Sequence, residues 1–216
     1  SQRDACAREA KAKGYKEEFL LSTGLCYKRD NGQLQDRFFG RVIFPVHTLS
    51  GKVVAFGGRV LDAATKGVKY QNSPESAIYS KKKELYGLFL AKQAIVKHDL
   101  CFLVEGYTDV ISMHQMGVEN VVSSSGTALT TEQIRMIHRF TENITVLYDG
   151  DAAGIKASER GIDMLLAEGM NVKLLLLPDG DDPDSFARKH NATEYQAYLN
   201  EHQVDFIKYK TDLLLH

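Results

Sequence analysis

From residue 101 onward the chain alternates short apolar runs with stretches of helical character. The runs are CFLVE, ENVVSSS, NITVLYD and NVKLLLL, and the helical stretches begin after Gly106, Thr130, Gly154 and Pro183. Parallel strands can only be joined by crossovers long enough to hold a helix, so this alternation predicts a mainly parallel sheet covered by helices. Thr130 and Gln133 stand at capping-box spacing ahead of IRMIHRF, which marks a helix start.

The first hundred residues have another rhythm. The segment to about Lys28 reads as one or two helices, and RDNGQLQDRFFGR reads as a polar, glycine-punctuated connection. VIFPVHTLSGKVVAFGGRVL holds two β-rich runs joined through Ser50 and Gly51, the pattern of a hairpin. A proline turn and a lysine cluster then lead into a helix ending near Val96, and the tail from Thr193 has helical spacing. The expected organisation is an α+β lobe over 1–100, an α/β domain over 101–190, and the start of a helical subdomain over 191–216.

The formal net charge of -1 conceals an asymmetry. Residues 1–100 carry 18 Lys and Arg against 10 Asp and Glu, whereas residues 101–216 carry 9 against 18. A basic half can bind polyanions by displacing their counterions, and an acidic half either faces solvent or gathers carboxylates around cations. With 44% hydrophobic residues the chain has an ordinary globular composition. Its uniformly apolar stretches, Leu174 to Leu177 among them, are far below the roughly 18 residues of a membrane span, so no membrane partner is expected. The amino terminus lacks the pattern of a secretory signal, and Cys6, Cys26 and Cys101 lack C-x-x-C spacing, which together suit a reducing cytoplasm.

Ligands of open α/β sheets sit beyond the carboxyl ends of the strands, and three of the four apolar runs end in acid. Glu105 follows the first run with Asp109 one helical turn later, Asp149 and Asp151 follow the third, and Asp179, Asp181, Asp182 and Asp184 follow the fourth. If these loops are neighbours, the converging carboxylates require cations. An oxygen-only donor set selects Mg²⁺ or Mn²⁺ over zinc, and two such ions suit in-line displacement at phosphorus. Taken singly, Asp109, Asp163 and Asp179 read equally well as caps or exposed carboxylates. Glutamate is a poor cap, so Glu105 with Asp149 and Asp151 carries the functional reading.

In this order, the LVEGYTD strand end, the S-x-GTALT turn, YDGDAAG and LPDGDDPD resemble the TOPRIM domain of bacterial replicative primases. The resemblance extends upstream through DRFFGRVIFPV, GKVVAFGGRVL, KYQNSPE and YSKKKELYGL to the basic amino-terminal lobe of the primase polymerase domain, covering roughly residues 34–190. NSPE and LYGL are similar only to primases.

The resemblance implies DNA-templated synthesis of short RNA primers from ribonucleoside triphosphates on single-stranded DNA, at the bacterial cytoplasmic replication fork. Glu105, Asp149 and Asp151 would be the central catalytic and metal-site carboxylates, with Asp109, Asp182 and Asp184 in support. Mg²⁺ would be the ion, with Mn²⁺ as a substitute. Glu105 stands open as a base towards the 3′-hydroxyl or as a metal ligand. Arg41, Arg59, Lys69 and Lys81 would form a basic ridge for template or triphosphate; Tyr70 and Tyr79 read first as packing residues. The family's zinc-binding and helicase-binding domains do not appear in this sequence, so zinc and the replicative helicase would be met through them. Two rival classes remain: another TOPRIM enzyme, a nuclease or topoisomerase, and a non-catalytic single-stranded-DNA-binding module holding a structural ion.

Overall fold

The chain divides into two units, Ser1–Glu84 and Leu85–His216. The computed structural model describes residues 3–61, 68–126, 128–148 and 152–215.

In the first unit, α1 (Ala5–Ala12) and α2 (Glu17–Ser22) pack on a hairpin of β1 (Cys26–Lys28) and β2 (Leu34–Asp36) around Ala7, Leu20 and Cys26. The polar connection expected after Lys28 therefore contains a strand. That strand delivers the cap that α1 lacks locally, since Asp4 makes no side-chain bond at the helix start. The buried Asp36 carboxylate instead accepts from the backbone N–H of Cys6 at 2.8 Å and of Ala7 at 3.0 Å. These are orphan donors of the first helical turn. Cys26 Sγ donates to the same carboxylate at 3.6 Å, and burial followed by that negative charge pushes the Cys26 thiol up to about 12. Gly24 closes the segment before β1 with φ of 71°. A Cβ there would lie 2.4 Å from the ring carbons of Pro74, so glycine is required by conformation and by space.

The expected hairpin is present as β3 (Arg41–His47) and β4 (Val53–Val60), closed by a turn in which Thr48 bonds both Lys52 and Ser50. A third strand, β5 (Tyr70–Asn72), pairs antiparallel to β4, with Arg59 opposite Tyr70.

The second unit starts with α3 (Leu88–His98), which packs on a strand of this unit. Tyr86 already bridges to Ser123, in keeping with a contact division that falls after Glu84. The chain then runs β6 (Cys101–Val104), α4 (Tyr107–Gln115), β7 (Val121–Ser123), α5 (Thr131–His138), β8 (Asn143–Tyr148), α6 (Ala152–Ala167) and β9 (Asn171–Leu176). After a 3-10 turn at Pro178–Gly180 come α7 (Pro183–Lys189), α8 (Ala192–Glu201), β10 (Val204–Asp205) and α9 (Phe206–Leu215). The sheet order is β10-β9-β8-β6-β7, with all neighbours parallel except the β10 edge. This is the mixed α/β fold that the alternation predicts. The tail departs from one continuous helical pattern because Val204 and Asp205 pair with Leu174 and Lys173, occupying an edge of β9 that would otherwise expose unpaired backbone groups.

The connection through α4 moves one way along the sheet and those through α5 and α6 move the other way. Right-handed crossovers therefore place α4 on one face and α5 and α6 on the opposite face. Consistently, α4 packs on α7 and α5 on α6. Strands β6 and β7 are buried at every position, as strands covered on both faces must be.

Candidate active site

The strand order reverses around β6, whose two neighbours are reached by connections running in opposite directions. This is the topological switch point, where a crevice opens beyond the strand ends. Leu103 of β6 is level with Val146 of β8, so Glu105, two residues further on, is level with Tyr148, the last residue of β8. The exposed Glu105 thus stands at the mouth of the crevice. Its main chain is fixed from the adjacent strand: the Glu105 carbonyl accepts from Ser123 Oγ at 2.8 Å and from the Gly126 N–H at 3.3 Å. Ser123 Oγ also accepts from the Ser125 N–H at 2.8 Å, and Ser125 holds a left-handed conformation with φ of 59°. The S-x-G turn is therefore a brace under Glu105. Asp149 and Asp151 lie outside the described residues.

Asp109 is buried on the first turn of α4, and its Oδ2 accepts from the Gly106 N–H at 2.8 Å. Asp182 caps α7, accepting from the Ser185 N–H at 2.6 Å. Asp184 accepts from Ser112 Oγ of α4 at 2.6 Å and pairs with Arg188 one turn along α7. Packing of α4 on α7 thus brings the acidic loop after β9 to the helix that begins two residues after Glu105. Asp181 has a different occupation. Lys189 binds both of its oxygens, at 2.7 and 2.8 Å, and Ser185 Oγ adds a bond, which together hold the carboxyl below its usual range. Asp179 forms the 3-10 turn with φ of 57°. Asp163 is exposed on α6.

Ser112, Ser185, Arg188 and Lys189 were not singled out from sequence. The i,i+4 spacing of Asp184 and Arg188 could have revealed one of them. Ser112 meets Asp184 only through packing of α4 on α7, which no local pattern announces.

In the first unit, Arg41 Nη1 donates to the carbonyls of Gly58 and Lys69 at 3.2 and 3.1 Å, and Nη2 to that of Val68 at 2.9 Å. Its guanidinium bridges β4 to the approach of β5. Arg59 and Lys69 both lie over the Tyr70 ring, 5.6 and 6.0 Å from its centroid. The Lys81 N–H donates to Glu75 at 2.7 Å. Tyr79 is buried, in keeping with its reading as a packing residue.

The parallel sheet with acidic groups at its switch point defines the class: residues 102–187 match the family model described as Toprim-like. Residues 1–92 match the DNA primase catalytic core, N-terminal domain. The chain is 46% identical over 201 residues to the DNA primase of Clostridium acetobutylicum, covering 93% of this chain and 33% of that protein. It superposes on the Escherichia coli primase catalytic core with TM-score 0.87 and 34% identity, covering 99% of this chain and 68% of the other. It also superposes on the RNA polymerase domain of Mycobacterium tuberculosis primase, solved with a double-stranded DNA oligomer bearing a 6-nucleotide overhang. There the TM-score is 0.85 and the identity 32%, covering 97% of this chain and 67% of the other. The chain therefore belongs to the family of DnaG-type primase catalytic cores. It spans about a third of the length of the curated relatives it matches.

Proposed function

We propose that this chain carries the RNA-polymerising centre of a primase: metal-dependent joining of ribonucleoside triphosphates into short primers on single-stranded DNA, in the bacterial cytoplasm. The observation that carries this reading is Glu105, braced at the switch point level with the end of β8, the strand that leads directly into Asp149 and Asp151. In this reading residues 1–100 are the basic lobe, 101–190 the metal-binding domain and 191–216 the start of a helical subdomain. The replicative helicase would be engaged through a further domain of the whole protein.

Among the described residues no three His, Cys, Asp or Glu side chains form a group able to hold a metal ion. Those present still fit one. The acidic positions offer oxygen only, the donor set of Mg²⁺ with Mn²⁺ as substitute. Glu105, Asp149 and Asp151 would hold the ions, supported by Asp109, Asp182 and Asp184. Divalent ions there would supply neutralisation of phosphate charge and polarisation of the attacking hydroxyl. The chain's own residues do the positioning. The Ser123–Gly126 turn fixes Glu105 as base or ligand, and the caps on α4 and α7 hold Asp109 and Asp182. Arg59, Lys69 and Lys81 give the first unit a cationic face for template or triphosphate, with Arg41 bracing the strands that carry it.

Labelled ribonucleotide incorporation on single-stranded DNA tests the reading, with Asp149→Ala and Glu105→Gln alongside. RNA made by the parent chain and lost at least about a hundredfold in both folded variants is the expected result. Metal-dependent strand cutting without synthesis would replace it with a nuclease, and DNA binding without either reaction with a binding module.

A further inference from the structure

The first unit holds a cavity of about 420 Å³ between the start of α1 and the β1–β2 turn. That is within the range of small-molecule pockets, roughly 300–1,000 Å³, and more than a lone anion fills. Four cations line it, Arg3, Arg8, Lys11 and Arg29, against two carboxylates, Asp4 and Glu17. Both carboxylates are already matched. Arg8 lies 3.5 Å from Asp4, and Glu17 is held by Lys11 at 2.7 Å and by Lys28 at 2.9 Å. Arg3 and Arg29 are in no ion pair among the described residues, so two guanidinium groups on this wall stand uncompensated.

The main chain fixes where both arginines start. The Arg3 carbonyl accepts from the Asp36 N–H at 2.9 Å, and its guanidinium lies 5.7 Å from the Phe39 ring centroid. In the β1–β2 turn, the Arg29 N–H donates to the Gln33 carbonyl at 2.9 Å and its carbonyl accepts from the Gly32 N–H at 2.8 Å. Two further features of the pocket ask for more than a bare anion. Gln35, on the same wall, leaves its side-chain Oε1 buried without a hydrogen-bond partner, a state that costs about 1–3 kcal/mol and is relieved by a ligand N–H or O–H that reaches it. Ala7 and Leu34 give the lining an apolar stretch.

We propose that this pocket binds a nucleotide. Arg3 and Arg29 take the phosphate through charge-assisted bonds, the sugar or base lies against Ala7 and Leu34, and one of its N–H or O–H groups donates to Gln35 Oε1. The site is formed wholly within Ser1–Glu84 and uses none of the acidic positions assigned to the metal centre.

Titration of the intact, isotope-labelled chain with ATP in EDTA, followed by amide chemical shifts, tests it independently of the metal centre. The amides of Arg29, Gln33 and Gln35 should move. Arg3→Ala and Arg29→Ala should each weaken ATP binding about tenfold, the weight of one charge-assisted bond. Arg135→Ala, at an exposed arginine of the second unit, should leave that affinity unchanged. Gln35→Leu should weaken ATP binding while the ligand-free melting temperature holds or rises, because this side-chain oxygen makes no bond in the empty pocket. Inorganic phosphate and adenosine should each bind at least about tenfold more weakly than ATP. Phosphate binding as tightly as ATP would overturn the proposal by reducing the pocket to an anion site, and adenosine binding as tightly would overturn it by removing the arginines from the contact. Movement of these amides with a single-stranded DNA oligonucleotide but not with ATP would also overturn it, giving the pocket to nucleic-acid backbone. Loss of RNA synthesis alone would sink the polymerase reading and leave this one standing.

Discussion

The two units are held together by different means. Every one of the largest fully buried side chains among the described residues belongs to the second unit, from Leu85 through Ile144 and Leu175 to Tyr195. In the first unit Val42, Ile43, Val53, Leu61 and Val68 stay exposed, and polar ties do more of the holding. Helix ends show the same contrast. In the second unit α5, α7 and α8 are capped by Thr130, Asp182 and Asn191, each bonding a residue three positions on. In the first unit α1 is capped by Asp36, some thirty positions away in sequence. Local rules specify the second unit, and long-range polar contacts complete the first.

Core truncation should widen this contrast most. Leu175→Ala, at 0% exposure near the end of β9, should cost about 3–4 kcal/mol, as large-to-small changes at well-packed sites do. Val53→Ala, at 46% exposure, should cost under about 0.5 kcal/mol. Urea midpoints followed by circular dichroism would show it, and equal losses would mean that both units depend on burial alike. The next largest effect belongs to the polar ties. Asp36→Ala leaves two backbone donors of α1 without their acceptor and should cost about 2 kcal/mol. Amide exchange at Cys6 and Ala7 should quicken, together with that of β2. Thr130→Ala removes a local cap, should cost about 1 kcal/mol, and should quicken exchange only at the start of α5.

The same contrast explains what could be read from the sequence. The alternating runs and the Thr130 capping box gave the parallel sheet and its helices because their signals are local. The Ser50–Gly51 hairpin was equally legible. β10 was not, since two residues become a strand only when the β9 edge is beside them. Nor was β2, a short strand inside a polar segment whose Asp36 has meaning only under α1. At the candidate site, strand-end logic put Glu105 just beyond one strand and the acids just beyond another, and β6 and β9 do end there. It could not separate Asp181, bound to Lys189, from Asp182 and Asp184, because that assignment depends on which turn of α7 faces which loop.

Asp181 gives a pH test of that assignment. Its bonds to Lys189 and Ser185 lower its folded pKa below the ordinary 3.8, so the folded state binds this proton less readily than the unfolded chain. The resulting stability is present above about pH 4 and is lost as pH falls through the folded value. Lys189→Met should therefore flatten the acid limb of a plot of urea midpoint against pH between about 4 and 2, leaving the neutral region little changed. An unchanged acid limb would show that Lys189 does not control Asp181.

The smallest effect concerns Asp184, where a structural pair and the proposed cation compete for one carboxylate. Arg188 lies one turn away on the outer face of α7, with 72% of its side chain exposed, and such i,i+4 pairs are worth only about 0.3–0.5 kcal/mol. A divalent ion drawing on Asp184 would have to displace Arg188 or share its charge. Arg188→Ala should then tighten Mn²⁺ binding about twofold, the factor that corresponds to the lost pair. Ser112 Oγ would remain to orient Asp184 from α4. Weaker Mn²⁺ binding in Arg188→Ala would reverse the assignment, making the arginine the group that aims Asp184 at the ion. In that case α7 would hold its acid by local pairing, as the rest of the second unit holds its helix ends, and competition would play no part.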